Sequence, residues 1–315
     1  MSTIEKAVNK QKQQAKPVAE DKDTIVDRVQ AVEASSDIES SQADSAQVTS
    51  LEVKHASLNQ PETIESSSAS TSRTTVSIDL AELERKNFVS LSSERRLINE
   101  EYRVIKRKLI NNAFGGLSST LKHPNLILVS SSRPGEGKTF SAINLALSIA
   151  LEQDKTVLLV DSDVLRPNVS KTLNLKHEIG LTDYLQSDQI KVSDIILNTN
   201  IERLKIVTAG SPHHLSTELL ASERMSMLVD EFASRYSDRI VIFDAPPLLG
   251  VNETSVMASM CGQAVIVVEE NHSKLSEIEQ AVSLLPKDIA VGFLINKAHR
   301  NQGKGYGYGY YYGAD

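Results

Sequence analysis

The stretch "SSRPGEGKT" (Ser131–Thr139) follows the apolar run "NLILVS" (125–130) and precedes the apolar stretch "FSAINLALSIA" (140–150). A strand, a glycine-bearing loop with a lysine and then a helix is how a chain builds a cradle for phosphate. Gly135 and Gly137 let the backbone curl so that consecutive N–H groups point inward, and a helix starting near Lys138 adds the positive end of its dipole. Lys138 can reach the outer phosphates of a nucleotide, and the Thr139 hydroxyl can bind Mg²⁺. The loop follows the P-loop pattern at Gly137, Lys138 and Thr139, with Ser132 where that pattern begins with glycine. Pro134 has no N–H to offer and holds the entry. The expected nucleotide contacts are therefore Ser132, Arg133, Pro134, Gly135, Glu136, Gly137, Lys138, Thr139 and Phe140.

Two more stretches carry acid where a strand ends. "VLLVDSD" places Asp161 and Asp163 at the carboxyl end of one expected strand, and "IVIFDAPP" places Asp244 at the end of another. In open parallel sheets ligands bind outside the carboxyl ends of the strands. Three carboxylates converging there would hold Mg²⁺ and leave an oxygen free as a base; a single aspartate at a strand end is as often a turn residue.

Working outward, apolar runs at 125–131, 155–161, 204–209, 239–245, 263–270 and 289–296 read as strands. Helix-like runs lie between them, at 143–152, 216–236, 253–260 and 274–285. Short uninterrupted apolar strands alternating with helices predict an α/β fold: a P-loop NTPase with a mostly parallel sheet and helices on both faces. Upstream, "SSERRLINEEYRVIKRKLINNAF" (92–114) has Leu97, Tyr102, Ile105 and Leu109 at helical spacing. The region 1–75 is rich in Ser, Glu, Gln, Asp and Thr from residue 17 on and predicts disorder, with a short docking helix around Ile4, Ala7 and Val8 as one reading of its start. A folded domain is expected over 76–297, and a flexible Gly/Tyr-rich tail over 298–315.

Composition excludes several classes. A formal net charge of −7 argues against a nucleic-acid partner, which would require a basic face. One cysteine, Cys261, allows neither a disulfide framework nor a cysteine metal site and reads as core. No H-E-x-x-H or G-x-S-x-G is present, and the His213–His214 pair reads as a solvated loop. The start has no apolar signal region and no run reaches the roughly 18 apolar residues of a membrane span. The expectation is a cytoplasmic protein brought to the inner face of the plasma membrane by a partner.

Taken with the tyrosine-clustered end "GKGYGYGYYYGAD", the motifs "PGEGKT", "VDSDVLRP", "FDAPPLL" and "EEYRVIKRKL" resemble those of the bacterial tyrosine kinases that regulate capsule and exopolysaccharide export. The resemblance covers roughly residues 90–315. "STIEKAV" and "IDLAELERKNFV" further resemble the stand-alone autokinases that accompany exosortase systems. It implies ATP and Mg²⁺ as cofactors, with Lys138, Asp161, Asp163 and Asp244 as catalytic residues and Thr139, Asp161 and Asp244 at the metal. It implies phosphate acceptors at Tyr306, Tyr308, Tyr310, Tyr311 and Tyr312, and subunit contacts through Glu100, Arg103 and Lys106 in a ring-like homo-oligomer. It also implies a transmembrane polysaccharide chain-length regulator and a cognate tyrosine phosphatase as partners. Two positions depart from the family: Leu165 stands where an arginine is common, with Arg166 next, and Glu253-Thr254 stands where Asp-Ala is frequent.

A second class stays open from the residues. ATPases resembling ParA and MinD share this fold and switch assembly with nucleotide state; they carry a lysine where Arg133 stands, but normally a glycine where Pro134 sits, and they lack a tyrosine cluster. A third reading makes the tail a docking segment of a catalytically weak regulator.

Overall fold

Leu126–Ser131 (β2) is buried at all six positions and runs through the interior of the sheet. The computed structural model describes residues 75–92, 96–176 and 179–299. The expected N-terminal disorder and docking helix, and the five tail tyrosines, lie outside those residues. The other strands are β1 (Thr75–Val76), β3 (Thr156–Asp161), β4 (Leu197–Thr199), β5 (Leu204–Val207), β6 (Arg239–Asp244), β7 (Gln263–Glu269) and β8 (Ala290–Asn296). They form one sheet in the order β1-β4-β5-β3-β6-β2-β7-β8. Every pairing is parallel except β4 with β5. All six strands expected from apolar runs are formed. The short β1 and β4, with two and three residues, have no apolar run to announce them.

Alternation along the strands sends side chains into two cores. Ile127, Val129, Leu159 and Ile242 pack on one face against Tyr102, Leu109, Ile143 and Leu147. Those partners belong to α2 (Leu97–Phe114) and α3 (Lys138–Ala150), which follow the short α1 (Leu80–Arg85). Leu126, Leu128, Val241 and Phe243 face the other way, toward Met225, Phe232, Met257 and Ala281. These come from α4 (Glu223–Ser234), α5 (Asn252–Ala258) and α6 (Leu275–Ser283). Coverage on both faces explains why β2, β3 and β6 read as unbroken apolar runs, whereas Val291, Phe293 and Ile295 of the edge strand β8 are exposed. Cys261 is buried core, as expected.

Two helical expectations are corrected. The run 216–236 is not one helix: it divides into Ser216–Leu220 and α4 because the Ser222 hydroxyl caps a new start, accepting from the Met225 N–H at 3.2 Å. On α2, Leu97 is 55% exposed, whereas Lys106 is buried. The Lys106 ammonium donates to Ser148 O at 2.7 Å and pairs with Glu152 at 2.7 Å, at the carboxyl end of α3. Unsatisfied carbonyls and the negative end of the helix dipole favour a cation there. Glu100 and Arg103 stay half-exposed and pair at 2.8 Å. Of the three residues expected at a subunit contact, Lys106 is turned into the protomer, while Glu100 and Arg103 remain accessible.

The segment "IDLAELERKNFV" (78–89) is part of this packing. Ile78, Leu83, Phe88 and Val89 are buried. The Val89 N–H donates to Asn144 Oδ1 at 2.6 Å, and the Phe88 and Phe140 rings lie 4.7 Å apart. Among the described residues no helix is long and apolar enough to cross a membrane.

Candidate nucleotide site

The phosphate loop leaves β2 and enters α3, whose N-cap Gly137 has φ +98°. Gly135 has φ +91°. Both lie in the left-handed region that glycine adopts without strain. At Gly137 space is closed as well, because a Cβ would come within 2.0 Å of Asn296 Nδ2.

The loop is braced from outside by its own chain. Glu136 is buried; its carboxylate accepts the Arg133 N–H at 2.8 Å and the Ser273 hydroxyl. Asn296 Nδ2 donates to Glu136 O at 2.9 Å, and Lys297 Nζ donates to Gly135 O at 2.9 Å. The expected contacts thus divide. Glu136 serves the loop's shape, and the Arg133 N–H is already committed to it. The Arg133 guanidinium pairs with Glu277 of α6 at 2.8 Å. Because the Phe140 ring packs on Phe88, that residue could meet a nucleotide through its backbone.

Asp161 and Asp244 end neighbouring parallel strands and stand opposite each other in register. Both are fully buried. Asp161 Oδ2 accepts N–H groups from Asn168 (3.2 Å) and Val169 (3.0 Å), while Asp161 Oδ1 and both Asp244 carboxylate oxygens have no hydrogen-bond partner. Lys138, 12% exposed, donates to Asp163 Oδ2 at 2.6 Å and lies 3.8 Å from Asp244 Oδ1. Three carboxylates beneath the loop draw the lysine inward. Asp163 Oδ1 accepts the Arg166 N–H at 3.0 Å.

Electrostatics follow from this crowding. Burial, then repulsion from Asp244, pushes Asp161 up to about 8. Burial also raises Asp244, to about 6, against the pull of the Lys138 ammonium. For Lys138 burial opposes the charge, but Asp244, Asp163 and Asp161 together hold its pKa above the ordinary lysine value.

Among the described residues no group of three His, Cys, Asp or Glu side chains is arranged as a metal site, and Asp163 faces Lys138. The unpartnered oxygens of Asp161 and Asp244, beside the Thr139 hydroxyl, still fit a hard divalent cation that draws its remaining ligands from water and phosphate.

The two departures from the family's motifs have structural accounts. Leu165 and Arg166 are both exposed beside the acidic motif. The Thr254 hydroxyl donates to Pro246 O at 2.9 Å, joining Ser130 Oγ at 2.6 Å in pinning the segment after Asp244. Glu253 is buried and accepts from Ser216 Oγ at 3.4 Å. Ser273, Asn296 and Lys297 are the site residues that no motif announced; they come from turns and a strand end far along the chain.

The family model described as "AAA domain" matches residues 124–287. The chain is 28% identical over 214 residues to tyrosine-protein kinase YwqD of Bacillus subtilis, covering 67% of this chain and 86% of YwqD. It is 30% identical over 183 residues to tyrosine-protein kinase CpsD of Streptococcus agalactiae, covering 57% of this chain and 78% of CpsD. Other curated relatives are much longer, and the chain spans 21% of their length. The crystal structure of the chimerical protein CapA2B2 superposes with a TM-score of 0.57 at 25% identity, covering 71% of this chain and 92% of that one.

Proposed function

The chain belongs to the bacterial tyrosine-protein kinases with an AAA domain, and from that premise we propose that it is an ATP-dependent tyrosine autokinase whose acceptors are Tyr306, Tyr308, Tyr310, Tyr311 and Tyr312. The observation that supports this reading is the buried Asp161–Asp244 pair, with unpartnered oxygens, next to Lys138 and Thr139 at the mouth of the loop. Phosphoryl transfer asks a protein mainly for alignment and charge stabilisation.

Thr139, Asp161 and Asp244 would hold Mg²⁺, which when bound neutralises charge on the outer phosphates. Lys138 would leave Asp163 for those phosphates. Asp163, released from the ammonium, or Asp161 then accepts the proton of the incoming tyrosine. A phenol with a pKa near 10 keeps its proton until late in the transfer, so a carboxylate suffices. Ten extended residues span at most about 33–36 Å. A tail of that reach supports transfer in trans within a ring-like homo-oligomer.

The segments "STIEKAV" and "IDLAELERKNFV" support placement beside the exosortase-associated autokinases. The proposed role is control of exopolysaccharide polymerisation and export, at the inner face of the plasma membrane. A transmembrane chain-length regulator would activate the kinase and a tyrosine phosphatase would reset it. Full activity of the isolated monomer would remove the need for that regulator.

The test is incubation of the purified full chain with Mg-ATP followed by intact-mass and peptide mass spectrometry. Multiple phosphate additions confined to the C-terminal peptide are expected. ATP hydrolysis with no phosphotyrosine would instead support an assembly-switching ATPase.

A further inference from the structure

We propose that Asn296 and Lys297, at the point where the chain leaves β8 for its tyrosine-rich end, are positioning residues of the nucleotide site. They would preset the phosphate loop for binding. The inference rests on reading that loop as a nucleotide cradle.

The geometry is specific. A trans peptide points its C=O and its N–H in opposite directions. The carbonyls of Gly135 and Glu136 are consecutive, and both are held from outside, one by Lys297 Nζ and the other by Asn296 Nδ2, each at 2.9 Å. Fixing them outward turns the N–H groups of Glu136 and Gly137 to the opposite side, where phosphate oxygens need donors. With neither brace, two glycine-flanked peptides are free to rotate, and binding must bear the cost of ordering them.

Lys297 is itself held in place. Its backbone has φ +54°, a left-handed conformation uncommon outside glycine, and its ammonium also pairs with Glu269 Oε2 at 2.9 Å. The Glu270 N–H donates to Asn296 O at 3.1 Å. From the same turn the Ser273 hydroxyl reaches the Glu136 carboxylate. The ends of β7 and β8 thus form one bracket around the back of the loop.

The experiment measures binding of a non-hydrolysable ATP analogue with Mg²⁺ by calorimetry, on the full chain carrying Asn296→Ala, Lys297→Met or Lys297→Arg. Loss of one hydrogen bond predicts affinity about three- to tenfold weaker for Asn296→Ala and for Lys297→Met. Lys297→Arg keeps a donor for Gly135 O and a partner for Glu269, and should bind within about twofold of wild type. Lys297 is half-exposed, so Lys297→Met should leave the urea midpoint without nucleotide near wild type. A half-saturating ATP concentration that rises while the saturated autophosphorylation rate holds would mark a positioning role. Unchanged affinity in both truncated side chains overturns the inference, as does equal weakening by Lys297→Arg. Wild-type protein that binds the analogue yet makes no phosphotyrosine would sink the kinase reading and leave this inference standing; wild-type protein that binds no analogue would sink both.

Discussion

Lys138 Nζ lies 2.6 Å from Asp163 Oδ2, so the phosphate-loop lysine is bound to the chain's own acidic motif. The same ammonium is 3.8 Å from Asp244. Its charge balances three buried carboxylates as well as being available to phosphate. Removing it therefore has two effects. Lys138→Met should abolish autophosphorylation and also lower stability by about 1–3 kcal/mol in urea unfolding. The loss stays below that for a fully buried pair because the carboxylates can take up a proton. Adding Asp163→Asn to Lys138→Met should recover part of the stability and none of the activity. Normal phosphotyrosine in Lys138→Met would refute the assigned site.

Asp161 and Asp244 make stability depend on pH. Their folded pKa values, about 8 and about 6, are raised above the unfolded value near 3.9. Between about pH 4 and 8 the folded chain binds more protons than the unfolded one, so stability falls as pH rises through that window. The urea midpoint of nucleotide- and Mg²⁺-free protein should decline from pH 5 to pH 8.5. Asp161→Asn should flatten that decline. A midpoint that climbs over the same range would mean that the two carboxylates are ionised in the fold from the outset.

Arg103 and Lys106, three residues apart on α2, should respond differently to alanine. The exposed Arg103–Glu100 pair contributes about 0–1 kcal/mol to the protomer. Arg103→Ala should therefore leave the melting temperature nearly unchanged and, if Glu100 and Arg103 form a subunit contact, reduce mass in light scattering and transfer in trans. Lys106→Ala removes the buried contact to Ser148 O and Glu152 and should lower the melting temperature by several degrees. Equal melting losses for the two variants would erase the distinction.

Phosphorylation of the five tail tyrosines adds about −8 to −10 charges to a chain whose formal net charge is −7. Tails gathered around a ring would then repel one another and the acidic cleft. Unphosphorylated protein is expected to assemble and phosphorylated protein to dissociate. Changing all five tyrosines to Phe should lock the assembled form. The same mass for phosphorylated and unphosphorylated wild type would give the tail another purpose.

The strand–loop–helix run around Gly137, Lys138 and Thr139, the aspartates at two strand ends and the six long strands were all legible in the sequence. Each is a local pattern: apolar runs make buried strands, and phosphate contacts need glycine and lysine at close spacing. Tertiary structure alone decided the rest. The inward turn of Lys106 depends on the carboxyl end of α3, more than 40 residues away, which no helical period reveals. The bracing of the loop, where the Glu136 carboxylate and carbonyl are held by other parts of the chain, depends on Ser273 and Asn296, over 130 residues on. The inward pull on Lys138 depends on three carboxylates that only the parallel order of β2, β6 and β3 brings beneath it. Hydrogen bonds and charges act over a few ångströms, and the sheet's crossovers set which distant residues come that close.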